Sequence, residues 1–397
     1  ETGTLASTVE MSGGVLDADE SLTVSGVLTQ SGDTTIDVLD NKTLSYSGAT
    51  LSLGANTLTM SGGGTLSNTN ALELNHADSL LTLDGTVTIG KASVTASSNT
   101  GKGLAINISS NISSLTVLAD TELNIADGIT LSGATEISSG TALKLSSTGT
   151  FGSTLNLLGT LEAGANLTVS GLISVSGNSA VSIPAAGTTL TYSGGNLNVG
   201  AHTLSIGGAG TLSNATGSPL VLDVTDSILS LTGNGIISGP VKLESGTLKS
   251  TGSPTVSGAL TQSGDTTIDV LANKTLTYSG APFSLGANTL TLTGGGTLVS
   301  GGLDLNNADS KLLLNSITVD SVSTTIDNSL GVDVDNNSTI TSLSVSNITP
   351  VSIASGKTLS GAITLTAGSI KLDETGTLAS TVEMSGGVLD ADESSKV

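Results

Sequence analysis

The sequence predicts an all-β chain wound as a parallel β-solenoid, an elongated rod with essentially no helix. Three observations carry that prediction. Long stretches of the chain repeat one another, its apolar runs alternate with a period of two, and only 1% of its 397 residues are aromatic. A compact core of this size ordinarily draws much of its buried area from aromatic rings. Here Phe151, Phe283, Tyr46, Tyr192 and Tyr278 are the whole supply. The interior must be aliphatic, and a hydrophobic content of 37% with a mean hydropathy of +0.28 provides the material. At 11% charged residues the chain also lacks the low-hydropathy, high-charge signature of disorder.

In chain order, residues 1–21 (ETGTLASTVEMSGGVLDADES) come first, and they recur letter for letter as residues 374–394, an offset of 373. An identity of that length implies recent duplication, so the chain reads as one period plus an overlap, taken from a longer tandem array. After Ser394 the sequence continues SKV where the first copy has LTV. Residues 24–66 then match 256–298 without a gap, and a weaker third copy starts at Val169. All three tyrosines fall at one place in this block. A second block type, SSLTVLADTELNIADGITLSG at 113–133, returns as TSLSVSNITPVSIASGKTLSG at 341–361. One continuous solenoid over 1–397, with internal repeats 24–168, 169–255 and 256–396, fits this order.

Within the blocks, runs such as SLTVSG, KTLSYSG, NTLTMSG and NLTVSG alternate an aliphatic residue with Ser or Thr. That is the pattern of strands with one buried face. Gly, Asn, Asp and Ser punctuate the runs with turn chemistry. Strands recurring at roughly 20-residue spacing suit coils that stack on one another. At about 4.8 Å per coil, one period would make a rod on the order of 80–100 Å long.

Composition excludes several functions. There is no Cys, hence no disulfide, thiolate metal site or Cys nucleophile. All 11 cations are Lys, and a net charge of −22 with a pI near 4.1 argues against nucleic acid and against anionic membrane surfaces. No run of about 18 apolar residues occurs, so no membrane insertion by a helix is expected. Nor does the chain open on a signal peptide.

Candidate chemistry is sparse. His202 in GAHTLS stands where Asn56 and Asn288 stand in GANTLT, and His76 in LNHADS stands where Asn307 does in LNNADS. A residue that exchanges with Asn at a repeated turn reads as a turn residue. Asp17, Asp19 and Glu20 form an acidic cluster that returns as Asp390, Asp392 and Glu393, and Asp333 and Asp335 form another pair. Paired acids on alternate strand residues could share a proton, or a hard cation such as calcium. Sugar-cleaving sites, however, also need aromatic platforms and cationic partners, which this composition hardly offers. No catalytic, cofactor-binding or metal-binding residue is therefore assigned, and no cofactor is expected. Gly62, Gly63 and Gly64, like Gly294, Gly295 and Gly296, precede a strand and read as tight corners. Sequons such as those at Asn41, Asn166 and Asn273 are expected by chance in a chain this rich in Asn, Ser and Thr. Thr-x-Thr pairs at Thr57/Thr59, Thr86/Thr88, Thr275/Thr277, Thr289/Thr291 and Thr364/Thr366 invite comparison with flat ice-binding arrays, but they do not recur at a regular coil spacing.

The VSG, GTL, TLTLTG and GGAGTL phrases resemble the passenger regions of bacterial autotransporters and filamentous-haemagglutinin-like adhesins. The resemblance spans nearly the whole chain as a style of sequence and transfers no functional residue. It implies a right-handed parallel β-helix exposed outside a bacterial cell. The translocator barrel and secretion segment of such families do not occur in this sequence. The expectation is a structural, non-enzymatic segment of an extracellular filament, stalk or adhesin shaft. Asn56 and Asn288 are expected to form side-chain ladders between coils. The partner is a further copy of the chain, stacked head to tail with 382–389 followed by a coil like 22–36. The rival readings are a carbohydrate-active β-helix enzyme built on Asp17, Asp19 and Glu20, and a module binding surface glycans, calcium or ice.

Overall fold

The computed structural model describes residues 3–391 and 394–397. All its regular structure is β, with parallel strands stacked as a solenoid of about 19 turns, and no helix occurs among the described residues. It follows that none is long and apolar enough to cross a membrane. The chain divides into two compact units, Glu1–Leu197 and Asn198–Val397.

In the first unit each coil contributes up to three strand segments, and each segment pairs in parallel with its counterpart one coil later. Along one side run Val15–Ala18, Thr34–Val38, Thr57–Gly62, Leu80–Leu83, Gly103–Ile106 and Thr121–Ile125, in that order. The alternation read from sequence decides what these strands bury. Leu16, Ile36, Met60, Leu83, Ile106 and Ile125 stack in register as one inward column. Thr35, Thr59 and Thr82 stack on the outside. Each fully buried aliphatic side chain contributes about 1.5–3 kcal/mol, and each inter-coil step adds a ladder of backbone hydrogen bonds.

The second unit repeats this plan. Its longest inward column runs Leu204, Leu229, Leu248, Ile268, Leu292, Leu314, Val334, Ile353, Leu372 and Ala391. Coil length varies more than the roughly 20 residues expected. Register steps range from 18 residues (Leu143 to Leu161) to 25 (Leu204 to Leu229). Most strands hold their register while the corners absorb the difference, the exceptions being shifts between Ile112 and Leu115 and between Ile340 and Ser342.

Three recurrent devices shape the corners. The block tyrosines are buried plugs: Tyr46, Tyr192 and Tyr278 accept hydrogen bonds from the backbone N–H of Leu28, Ile173 and Leu260 at 3.2, 3.4 and 3.4 Å. Each thereby satisfies a donor of the preceding coil, which is why all three sit at one place in the block. Glutamines do similar work. Gln30 Nε2 donates to Thr57 O and Gly32 O, and Gln262 Nε2 makes the equivalent bonds to Thr289 O and Gly264 O. The glycine triplets are corners, with left-handed φ at Gly62 (82°), Gly294 (105°) and Gly295 (81°).

Asn56 and Asn288 do not form the expected ladders. Each side-chain amide donates to a carbonyl of its own turn, Leu53 O and Leu285 O, both at 2.8 Å. The turn geometry uses the amide locally, and the next coil is held instead through backbone bonds from Leu80 N and Lys311 N to the Asn56 and Asn288 carbonyls. Other asparagines do bridge coils. Asn328 Nδ2 donates to Asn307 O and Ser310 O at 2.7 and 2.8 Å.

The duplicated coil appears in two settings. As residues 3–18 it pairs with the coil after it, in the register Thr4↔Thr23, Glu10↔Thr29 and Asp17↔Asp37. As residues 377–391 it pairs with the coil before it, in the register Thr358↔Thr377, Ile363↔Val382 and Lys371↔Asp390. Met11 is accordingly 5% exposed, whereas its counterpart Met384 is 45% exposed. Lys396 bridges Thr377 in parallel, which is the slot that Thr23 takes on Thr4. Despite its different sequence, the SKV segment thus enters the next coil in the same register.

Candidate functional site: the outer columns

Because alternate strand residues face outward and coils stack in register, charged residues on successive coils form columns with neighbours about 4.8 Å apart. Like charges at that spacing repel, and opposite charges tie one coil to the next. Several columns mix the signs. Glu122, Lys144 and Glu162 stack in register, with Lys144 Nζ 3.0 Å from Glu122. Lys249 stacks on Asp269 and reaches it at 3.0 Å. Lys311 reaches Asp333 at 2.7 Å, and Lys42 reaches Glu20 at 2.5 Å. Solvent screens these pairs, so they add little to stability. Their effect is chiefly to pin register.

Glu122 is the most enclosed of these acids. Burial opposes its charge, but bonds from Ser146 Oγ, Gly101 N and Lys144 Nζ prevail and hold it below the usual carboxylate range. With Ser98, Asn99, Thr100, Asp120 and Lys144 it lines a shallow groove of about 240 Å³. Asp120 and Glu122 are already engaged there, Asp120 by Ala142 N at 2.8 Å.

The sequence-nominated acids separate into two groups. Asp17 and Asp19 come together, and Asp37 on the next coil joins them. The Asp19 carboxylate, then partial desolvation, then Asp37 push the Asp17 carboxyl above its ordinary value. Glu20 turns away to Lys42, which holds it below its ordinary value. Asp333 pairs with Lys311, and its bond and charge, with the Asp335 charge, outweigh burial and hold the Lys311 ammonium above its ordinary value. Asp390 stacks against Lys371, while Asp392 and Glu393 lie outside the described residues. Among the described residues no three acids or histidines converge as ligands for one ion.

The histidines behave as turn residues. His76 Nδ1 accepts Asp78 N at 3.1 Å, His76 N donates to Ser79 Oγ, and Ser79 Oγ donates to Gly54 O. Asn307 makes the same three-part turn with Asp309, Ser310 and Gly286. His202 passes its carbonyl to Ile228 N as Asn56 does to Leu80 N. Among the sequon residues, Asn41 and Asn273 hold left-handed turns (φ 61° and 62°), and Asn166 Oδ1 caps Thr189 N at 2.8 Å. The Thr-x-Thr pairs are not repeated on the neighbouring coil. Thr275 heads a column with Thr297, Thr318 and Thr339, but Thr277 stacks on Val299. Thr57 stacks on Leu80, and Thr289 and Thr291 stack on Lys311 and Leu313.

One recurrent polar corner escaped the sequence reading. Asn68 is 6% exposed, and its amide donates to Lys91 O and accepts from Lys91 N on the next coil. Room for it comes from Gly90, where a Cβ would lie 2.7 Å from Asn68 Oδ1. Asn214 and Gly239 repeat the donor half of the arrangement, Asn214 donating to Pro240 O at 2.8 Å, while Pro240 offers no N–H to the Asn214 Oδ1. In the third block the partners are exchanged in size. Ser300 replaces the Asn, and Asp320 on the next coil reaches back to accept Ser300 N, Ser300 Oγ and Gly301 N. Burial opposes the Asp320 charge, but those donors outweigh it and keep the carboxyl below its usual value. The only signal in the sequence was the change from Asn68 to Ser300 just beyond the match of 24–66 with 256–298. Its compensating residue 20 positions later becomes visible only with the register. No protein-family model, curated protein or solved structure matches this chain.

Proposed function

We propose that this chain is a structural segment of a secreted bacterial shaft, a filament, stalk or adhesin stem, whose coils continue from one copy of the repeat into the next. The observation that carries this reading is the duplicated coil. One sequence pairs through its later-facing edge as residues 3–18 and through its earlier-facing edge as residues 377–391. A coil competent at both edges is what a tandem array requires of the unit joining its periods. The mixed-charge columns support the same role, since they engage acids with neighbouring lysines and fix inter-coil register. The extracellular bacterial setting rests on the resemblance in sequence style to passenger regions and filamentous adhesins. On this reading the chain is not an enzyme, and its principal partner is another copy of itself, joined end to end.

Electron micrographs at increasing concentration are expected to show slender particles that lengthen at constant width. Globular particles of fixed size would contradict the proposal. The rival enzyme reading is tested on the same preparation with a panel of polysaccharides. No depolymerisation is expected, and turnover that disappears in Asp17→Asn or Asp19→Asn would replace the structural reading with a catalytic one.

A further inference from the structure

We infer that two corners of the solenoid each bind one ordered internal water, held between a glutamine carbonyl oxygen and a threonine hydroxyl: Gln30 with Thr34, and Gln262 with Thr266. The first observation is a polar residue where alternation calls for an aliphatic one. Thr34–Val38 and Thr266–Val270 bury every second residue, so Thr34 faces inward with Ile36 and Val38, and Thr266 with Ile268 and Val270. Ser179 takes the same place in the third block, ahead of Val181 and Ile183. The three are only 5%, 5% and 8% exposed. Glycine stands opposite each on the preceding coil, at Gly14, Gly246 and Gly159, one residue before the pairs Val15↔Thr35, Thr247↔Thr267 and Thr160↔Ala180. That position therefore brings no side chain to the hydroxyl.

The second observation is the state of the glutamine amides, whose donor hydrogens are both used. Gln30 Nε2 donates to Gly32 O and Thr57 O at 3.1 and 2.8 Å, and Gln262 Nε2 to Gly264 O and Thr289 O at 3.0 and 2.9 Å. Both Oε1 atoms are buried and meet no protein donor, and the Thr34 and Thr266 hydroxyls meet no protein partner. The same two oxygens are thus left over in both copies of the corner. The next coil brings them to one place. Gln30 is anchored on the Thr57 carbonyl while Thr34 pairs with Leu58, and Gln262 is anchored on the Thr289 carbonyl while Thr266 pairs with Leu290. Leaving such oxygens buried and unbonded is costly. One water donating to Oε1 and accepting from Oγ1 satisfies both, and two ordinary hydrogen bonds let it span up to about 5.5 Å. The ligand is water and not a cation, because both oxygens are neutral. The nearby carboxylates, Asp33 and Asp265, are exposed and accept Thr57 N and Thr289 N. In the third block Val175 replaces the glutamine, and the Ser179 hydroxyl alone offers too few partners to retain a water.

Oxygen-17 magnetic relaxation dispersion counts long-lived internal waters in the folded chain. Thr34→Val/Thr266→Val keeps the shape of both side chains and removes both hydroxyls, and it is expected to lose two waters from the parent count. Ser179→Ala is expected to keep that count. A crystal structure of the parent, at a resolution that shows ordered water, gives a reading that depends on no variant. It is expected to show density within hydrogen-bond distance of both Gln30 Oε1 and Thr34 Oγ1, and again at Gln262 and Thr266. An unchanged count in Thr34→Val/Thr266→Val would overturn the proposal. So would a direct bond from Oγ1 to Oε1 in the crystal, or density that thallium replaces as it replaces a monovalent cation.

Discussion

Gly133→Val is expected to unfold the middle of the first unit locally, at a cost of about 4 kcal/mol or more. Gly133 sits where the pairing of Ser110–Val117 with Thr130–Ile137 changes register, between Ile112 and Leu115. Its φ is 118°, outside what a β-branched residue adopts, and a Cβ there would lie 1.9 Å from the Ile112 carbonyl oxygen. Neither the strain nor the clash can relax without breaking the bulge that lets one long strand bend around the corner. Gly361, in the second copy of this block, is its counterpart, with φ 125° and 1.8 Å to Ile340 O. Hydrogen exchange suits this prediction better than a melting temperature, because long repeat arrays need not unfold in one step. Strands 110–117 and 130–137 should lose protection while the second unit keeps its own. Unchanged protection across 110–137 would show that the bulge is not a required element.

Tyr278→Ala carries the other large effect, about 3–5 kcal/mol. The ring is buried, packs edge-on against Phe283 with centroids 6.3 Å apart, and its hydroxyl accepts Leu260 N. Truncation leaves a cavity beside Phe283 and strips a buried N–H of its acceptor. Tyr278→Phe separates the two contributions, keeping the packing and losing only the bond, for about 1–3 kcal/mol. Equilibrium denaturation followed by exchange at Leu260 checks both. A phenylalanine variant as unstable as the alanine one would show that the hydroxyl, not the ring, carries the stability.

The architecture was legible because repetition and alternation both survive translation into three dimensions. A run such as TLTMSG could only bury Leu58 and Met60 and turn Thr57 and Thr59 to the outer face, where they lie half-buried. The histidines were legible for a related reason: once His76 is aligned with Asn307, one turn predicts the other. What could not be read was anything that depends on which residue stands one coil away. Coil lengths from 18 to 25 residues prevent a fixed period from giving that neighbour. Lys249 and Asp269 are 20 apart and Glu122 and Lys144 are 22 apart, so neither pair announces itself. Asn56 failed as a ladder residue because the amide found a closer acceptor in its own turn. The exchange of Asn68 with Gly90 for Ser300 with Asp320 is likewise a property of register, invisible to local pattern.

The central claim is that residues 374–394 are the first coil of a following period, and methionine oxidation tests it most directly. The chain has three methionines, Met11, Met60 and Met384, of which only Met384 is exposed. Peroxide converts methionine to the sulfoxide at a rate set by access. In the 397-residue chain, peptide mass spectrometry should find Met384 oxidised quickly and the other two slowly. A two-period chain, in which residues 1–394 run directly into a second copy of residues 22–397, covers Met384 with the coil that covers Met11. Oxidation at Met384 is then expected to slow to the rate of Met11, with fast oxidation moving to the Met384 counterpart in the second period. A Met384 that stays as reactive in the two-period chain as in the single one would contradict the account.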